Sequence, residues 1–175
     1  MTGKKKKLAG TRAKAENTAV RRENVFQDGP YLVAALICEQ VLEEKSGVKT
    51  AVRIIDRITQ RMVGRDVPET MPPITASFKL LIKLKAGKKT GKHKMVVAFE
   101  EPFKGETQSL TQTIELEGSE NSGIDLVLDL NIQLKQEGVH WFNIYCDDVL
   151  MTKTPVQVIY IIQTHAARRL PDRVQ

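Results

Sequence analysis

Between Gly123 and Lys135 the chain alternates with a period of two. Ile124, Leu126, Leu128, Leu130, Ile132 and Leu134 share one parity; Asp125, Asp129, Asn131, Gln133 and Lys135 hold the other, and Val127 interrupts it. A helix repeats about every 3.6 residues and would scatter these apolar groups around its surface, whereas a pleated strand lines them all on one face. Such a strand has one oily side and one wet side. It is stable only where a second oily surface covers the first.

Other segments keep the same rhythm. Ala76, Phe78, Leu80, Ile82 and Leu84 face Ser77, Lys79, Lys83 and Lys85, with Leu81 out of pattern. Met95 to Phe99 reads as a return strand after a turn at Gly87 to Gly91. Leu110, Gln112, Ile114 and Leu116 form a weaker alternation. Val139 to Cys146, Val149 to Thr152 and Val156 to Ile162 follow, separated by Asp147-Asp148 and Pro155. Pro68, Pro72, Pro73 and Gly64 mark residues 61 to 73 as a connection.

Tyr31 to Glu44 is ambiguous. Its Ala, Leu, Gln and Glu content suits a helix capped by Gly47. It equally suits a buried strand that turns at Lys45-Ser46-Gly47 into Val48 to Thr59, where Val48, Thr50, Val52, Ile54 and Ile58 alternate up to a break at Asp56. The β-rich second arm favours the hairpin. With no crossover helices after residue 48, parallel βαβ units are excluded. One-sided alternation then implies antiparallel sheets stacked face to face. The expected fold is an all-β, two-sheet antiparallel β-sandwich of eight or nine strands, immunoglobulin-like or C2-like, with a closed barrel as the alternative.

Charge divides the chain. Lys4, Lys5, Lys6, Lys7, Arg12, Lys14, Arg21 and Arg22 against Glu16 and Glu23 give residues 1–25 a net charge of +6, the formal charge of the whole protein. The remaining nineteen basic and nineteen acidic residues cancel. The expected organisation is a disordered basic arm at 1–25, a sandwich at 26–164 and a short polar tail at 165–175. Clustered lysines release counterions from polyanions. The arm residues, together with Lys88, Lys89 and Lys92 in the Gly87–Lys94 turn region, are therefore the candidate anion contacts. The alternative for the second group is an edge hairpin guarded by lysine against pairing with another sheet.

No catalytic constellation stands out. His93, His140 and His165 lack metal-ligand spacing. Cys146 with His140 has the elements of a nucleophile pair but sits mid-strand. Asp125, Asp129, Asp147 and Asp148 invite a calcium reading, although Asp147-Asp148 is more simply a turn. Trp141 and Tyr145 fall on the face opposite His140, Phe142, Ile144 and Cys146, so one set forms core and the other lies part-exposed. Cys38 and Cys146 are too few for a disulfide framework. No apolar run follows the lysines to make a secretory signal, and none is long enough to span a bilayer.

Two segments carry a resemblance. Pro30 to Thr59 (Pro-Tyr-Leu-Val-Ala-Ala-Leu-Ile-Cys through Ser-Gly-Val to Arg-Ile-Ile-Asp-Arg-Ile-Thr) is one. Gln136 to Tyr160 (Glu-Gly-Val-His-Trp-Phe-Asn-Ile-Tyr-Cys-Asp-Asp, then Thr-Pro-Val-Gln-Val) is the other. Together they resemble a family of uncharacterised bacterial β-sandwich proteins, and the second is similar to the closing hairpin of immunoglobulin-like domains. The resemblance implies a hairpin at 31–59 and supplies no activity.

The expectation is a non-enzymatic, cytoplasmic binding or scaffolding module. It would act on a protein partner or on itself, without cofactor, metal, small-molecule substrate or membrane span, and with the arm tuning localisation. The rival expectation is nucleic-acid binding through the arm.

Overall fold

A computed structural model describes residues 28–119 and 121–163. It contains nine strands: β1 (Tyr31–Glu43), β2 (Lys49–Ile54), β3 (Arg57–Val63), β4 (Ile74–Lys85), β5 (Thr90–Glu101), β6 (Gly105–Glu117), β7 (Gly123–Leu134), β8 (Gly138–Cys146) and β9 (Val149–Gln163). No helix occurs among the described residues, and hence none long and apolar enough to cross a membrane. A four-stranded sheet has the order β2-β1-β4-β7, and a five-stranded sheet the order β3-β9-β8-β5-β6. All pairings are antiparallel except β3 with β9, which is parallel. This is the two-sheet sandwich that the alternation implies.

The ambiguous stretch is strand. β1 pairs with β2 through Cys38↔Ile54 to Glu43↔Lys49. The break at Asp56 turns out to be a change of sheet. Ile55 N–H still donates to Ile37 O in the first sheet (2.8 Å), while Asp56 O accepts from Gln157 N–H in the second (2.9 Å). What the sequence presents as one arm is therefore two strands, and β3 extends to Val63, into the stretch assigned to a connection.

A second expectation is corrected. Residues 76–99 do not form a hairpin: β4 pairs with β1 and β7, and β5 with β6 and β8, so the turn between them crosses from sheet to sheet. The crossing is tight. A Cβ on Gly87 would stand 2.7 Å from the Tyr31 ring, and one on Gly29 would stand 2.4 Å from Ala86 O. Glycine lets these two backbone segments close on each other.

Between the sheets lies one apolar layer. Ile37, Phe78, Leu80, Ile82, Leu84, Leu126, Leu130, Ile132 and Leu134 from the first sheet meet Met95, Val97, Phe99, Phe142, Ile144, Cys146, Val156 and Val158 from the second. Phe78 and Phe142 meet edge to face across it, with ring centres 5.7 Å apart. Each such large side chain contributes about 1.5–3 kcal/mol by leaving water.

Candidate functional site

Of the candidate anion contacts, Lys4, Lys5, Lys6, Lys7, Arg12, Lys14, Arg21 and Arg22 lie outside the described residues. Lys88, Lys89 and Lys92 are exposed around the β4–β5 crossing. The charges there are interleaved with acids. Lys88 pairs with Asp28 at 3.4 Å, and Lys94 with Asp148 at 3.4 Å. Lys83 pairs with Asp125 at 2.9 Å, while Lys85 donates to Asn121 O.

The four aspartates of the calcium reading are split. Asp125 and Asp129 lie on the outer face of the four-stranded sheet, opposite Lys83 and Lys79, with which they pair. Asp147 and Asp148 form the β8–β9 turn, both in the left-handed region (φ 48° and 65°), as a two-residue hairpin turn requires. Asp147 is engaged twice: His93 Nδ1 lies 2.6 Å from Oδ2, and Lys94 N–H donates to Oδ1. These contacts hold its carboxyl below the usual range.

The sequence reading missed a juxtaposition here. His93, Cys146 and Asp147 bring one ligand atom each to within 4.8 Å of one another. A metal would have to replace the His93–Asp147 hydrogen bond and remove the thiol proton of Cys146. Burial, then the Asp147 charge, push that proton's pKa up to about 11. The cluster's evident work is to lock the β8–β9 turn onto β5.

Cys146 and His140 both point into the core, separated on β8 by Phe142 and Ile144. His140 is 1% exposed and stacks on Phe99, and burial lowers its pKa. An imidazole sealed against an aromatic ring has no route to substrate. Both cysteines are free and buried.

On the outer face of the five-stranded sheet, four neighbouring strands converge. Asn143 Nδ2 donates to Glu100 (2.8 Å) and to Glu106 (2.7 Å). Lys153 donates to Glu100, and Tyr145 O–H to Glu106. Lys153 also sits 5.2 Å above the Trp141 ring. These donors hold both carboxyls below their ordinary range, Lys153 first for Glu100 and Tyr145 first for Glu106. Trp141, Asn143 and Tyr145 recur at spacing two; the sequence set Trp141 and Tyr145 on one face of β8 without saying which face is core, and the structure turns theirs outward.

This network borders the β5–β6 turn. Lys104 N–H donates to Glu101 O (3.2 Å), with Pro102 and Phe103 between them. Phe103 is fully exposed (102%) at φ 63°. Proline second and a left-handed third residue make a type II turn, whose third position normally takes glycine or asparagine. The turn is pinned from both sides. The buried Glu101 carboxylate accepts from Lys104 and Thr107, and Gln136 Nε2 donates to Pro102 O at 2.6 Å. Beside it, Glu100, Glu101, Pro102, Phe103, Gly105, Gly138, Val139 and Trp141 line an open depression of about 470 Å³. Sequence reasoning passed over Phe103 because a lone aromatic in a polar loop has no periodicity to mark it.

A family model, the family of unknown function DUF6941, matches residues 33–159, and the chain belongs to that family. No curated protein matches the chain. Among solved structures, the CARDB domain of the PF1109 protein from Pyrococcus furiosus, described in complex with di-metal ions, is similar. It shares 13% identity at a TM-score of 0.37, over 75% of this chain and 92% of that one.

Proposed function

We propose that this member of the family is a non-catalytic protein-binding module. Its contact surface is the end of the five-stranded sheet, where the β5–β6 turn meets the start of β8. The observation that carries the reading is Phe103, a large apolar side chain wholly in water on a backbone conformation that disfavours it. Left-handed geometry costs a non-glycine residue about 1–2 kcal/mol. Among the described residues no burial of the ring repays that cost. Strain of this kind is retained where it presents a group. An aromatic side chain has only two rotatable bonds to order on binding, and buried aromatic anchors dominate many interfaces.

Its surroundings suit that role. Val139 is exposed, Trp141 lies under Lys153, and Glu100, Lys104 and Lys153 form a charged rim. The partner would offer an apolar pocket for one phenyl ring and polar groups for the rim. In this reading the basic residues 1–25 tune where in the cytoplasm the module resides.

The test compares wild type with Phe103→Ser, Trp141→Ala and a deletion of residues 1–25 in affinity purification from the native host. The partner should survive the deletion and about 0.5 M salt, where counterion-release binding fails. It should be lost with Phe103→Ser at unchanged circular dichroism. Retention that disappears with residues 1–25 and ignores Phe103 would favour nucleic-acid binding instead.

A further inference from the structure

Among the described residues each sheet ends in two edges with no further strand beside them: β2 and β7 in the first, β3 and β6 in the second. Three carry charge along their length. β2 has Lys49 and Arg53, β3 has Arg57 and Arg61, and β7 has Asp125 and Asp129. Such residues guard an edge against pairing with another chain. β6 differs. Its acids, Glu106, Glu115 and Glu117, lie toward its ends, and between them Thr107 to Ile114 reads Thr-Gln-Ser-Leu-Thr-Gln-Thr-Ile, with no charge and no proline.

β6 also overhangs the sandwich. Residues 105–113 are exposed on both faces, and the first side chains to enter the core are Ile114 and Leu116. Leu110 is 44% exposed although its parity is that of the core. Beneath it a cleft of about 190 Å³ opens between β6 and β7, reaching Phe99, Leu130 and Phe142. The backbone N–H and C=O groups along the outer edge of β6 face away from β5, its one neighbour among the described residues.

We infer that the free edge of β6 is the interface of a two-fold dimer. Gln108–Ile114 pairs antiparallel with the same residues of a second copy about an axis at Thr111. The occupant follows from the charge pattern. About that axis Gln108 faces Ile114, Ser109 faces Thr113, and Leu110 faces Gln112 of the second copy. The flanking acids Glu106 and Glu115 fall outside the paired segment. Like charges directly opposite would destabilise the ladder, and here none meet. The axis stands perpendicular to the joined sheet, so the clefts of the two copies open toward each other beneath it. Isologous closure leaves no further β6 edge to propagate.

The test uses the full chain and its register. Residues opposite each other in an antiparallel pair lie about 4.5–5.5 Å apart at Cα, within disulfide reach. Thr111→Cys should form a disulfide-linked dimer under mild oxidation, with Cys38 and Cys146 buried and silent. Ser109→Cys should not, because its own counterpart is displaced by about 13 Å along the strand at about 3.3 Å per residue. Sedimentation of the wild type should give a mass twice 19.7 kDa. Thr111→Lys should be monomeric, and mixing it with Thr111→Glu should restore the dimer. Phe103→Ser should leave the dimer intact, which separates this interface from the β5–β6 turn. A wild-type monomer at about 100 µM, or equal cross-linking at 109 and 111, would overturn the dimer; the former would leave the edge to a peptide strand from another protein.

Discussion

Leu81 and Val127 face each other across the β4–β7 ladder, on the outer side of the four-stranded sheet. They are the two residues that break the alternation of their strands, and Leu36 on β1 stands opposite Leu81 as a third. The interruptions are thus one apolar row crossing a wet face, bracketed by the Lys79–Asp129 and Lys83–Asp125 pairs. Leu81 is only 7% exposed there.

Leu81→Ala should cost about 2–3 kcal/mol in chemical denaturation, as for a buried leucine. Lys79→Ala should cost under about 1 kcal/mol, because an exposed ion pair contributes little. Equal losses would mean that the ion pairs, rather than the apolar row, hold this face.

Phe103→Gly should bind its partner at least roughly thirtyfold more weakly, the loss of an interface anchor worth about 2 kcal/mol. The same change should leave fold stability unaltered or raise it by up to about 1 kcal/mol. Relief of the left-handed strain outweighs the extra freedom glycine gives the unfolded chain. Thermal denaturation and titration with the purified partner measure the two effects; a marked loss of stability would show that the ring is structural.

His140 sets a pH dependence. Burial depresses its folded-state pKa below the ordinary histidine value of about 6.5. As pH falls below about 6.5, the unfolded chain takes up a proton that the folded chain refuses, so stability declines until the folded pKa is reached. Above that range both states are neutral and the contribution is flat. His140→Leu should abolish this slope in urea titrations between about pH 6.5 and 5; an unchanged slope would assign it to other groups.

Cys38 and Cys146 should resist aromatic disulfide reagents in the folded chain at about pH 8 and both react after unfolding, because the thiolate is the reactive form. Burial raises the pKa of each thiol, Cys146 to about 11. Fast labelling of either in the native state would show that its sheet opens readily.

The alternation of β4 and β7 made the sandwich legible, since six apolar residues at period two admit no other element. The shared parity of Trp141 and Tyr145, opposite His140 and Phe142, and the Asp147-Asp148 turn were readable for the same local reason, though not which face of β8 is core. Three things were not. The switch between sheets at Ile55–Asp56 depends on hydrogen bonds to β1 and β9, remote in sequence. The β4–β5 crossing looks like a hairpin locally, because which sheet receives a strand is decided by the whole core. The polar network of Glu100, Glu106, Asn143 and Lys153 assembles from four strands, and no short motif encodes it.

Photo-cross-linking from position 103 reads out contact at the β5–β6 turn. With benzoyl-phenylalanine in place of Phe103 in the native host, one discrete adduct is expected. It should be absent when the same group replaces Gln133 on the outer face of the opposite sheet, and it should weaken with Trp141→Ala. No adduct at 103, or the same adduct at 133, would contradict the assignment of the β5–β6 turn as the contact surface.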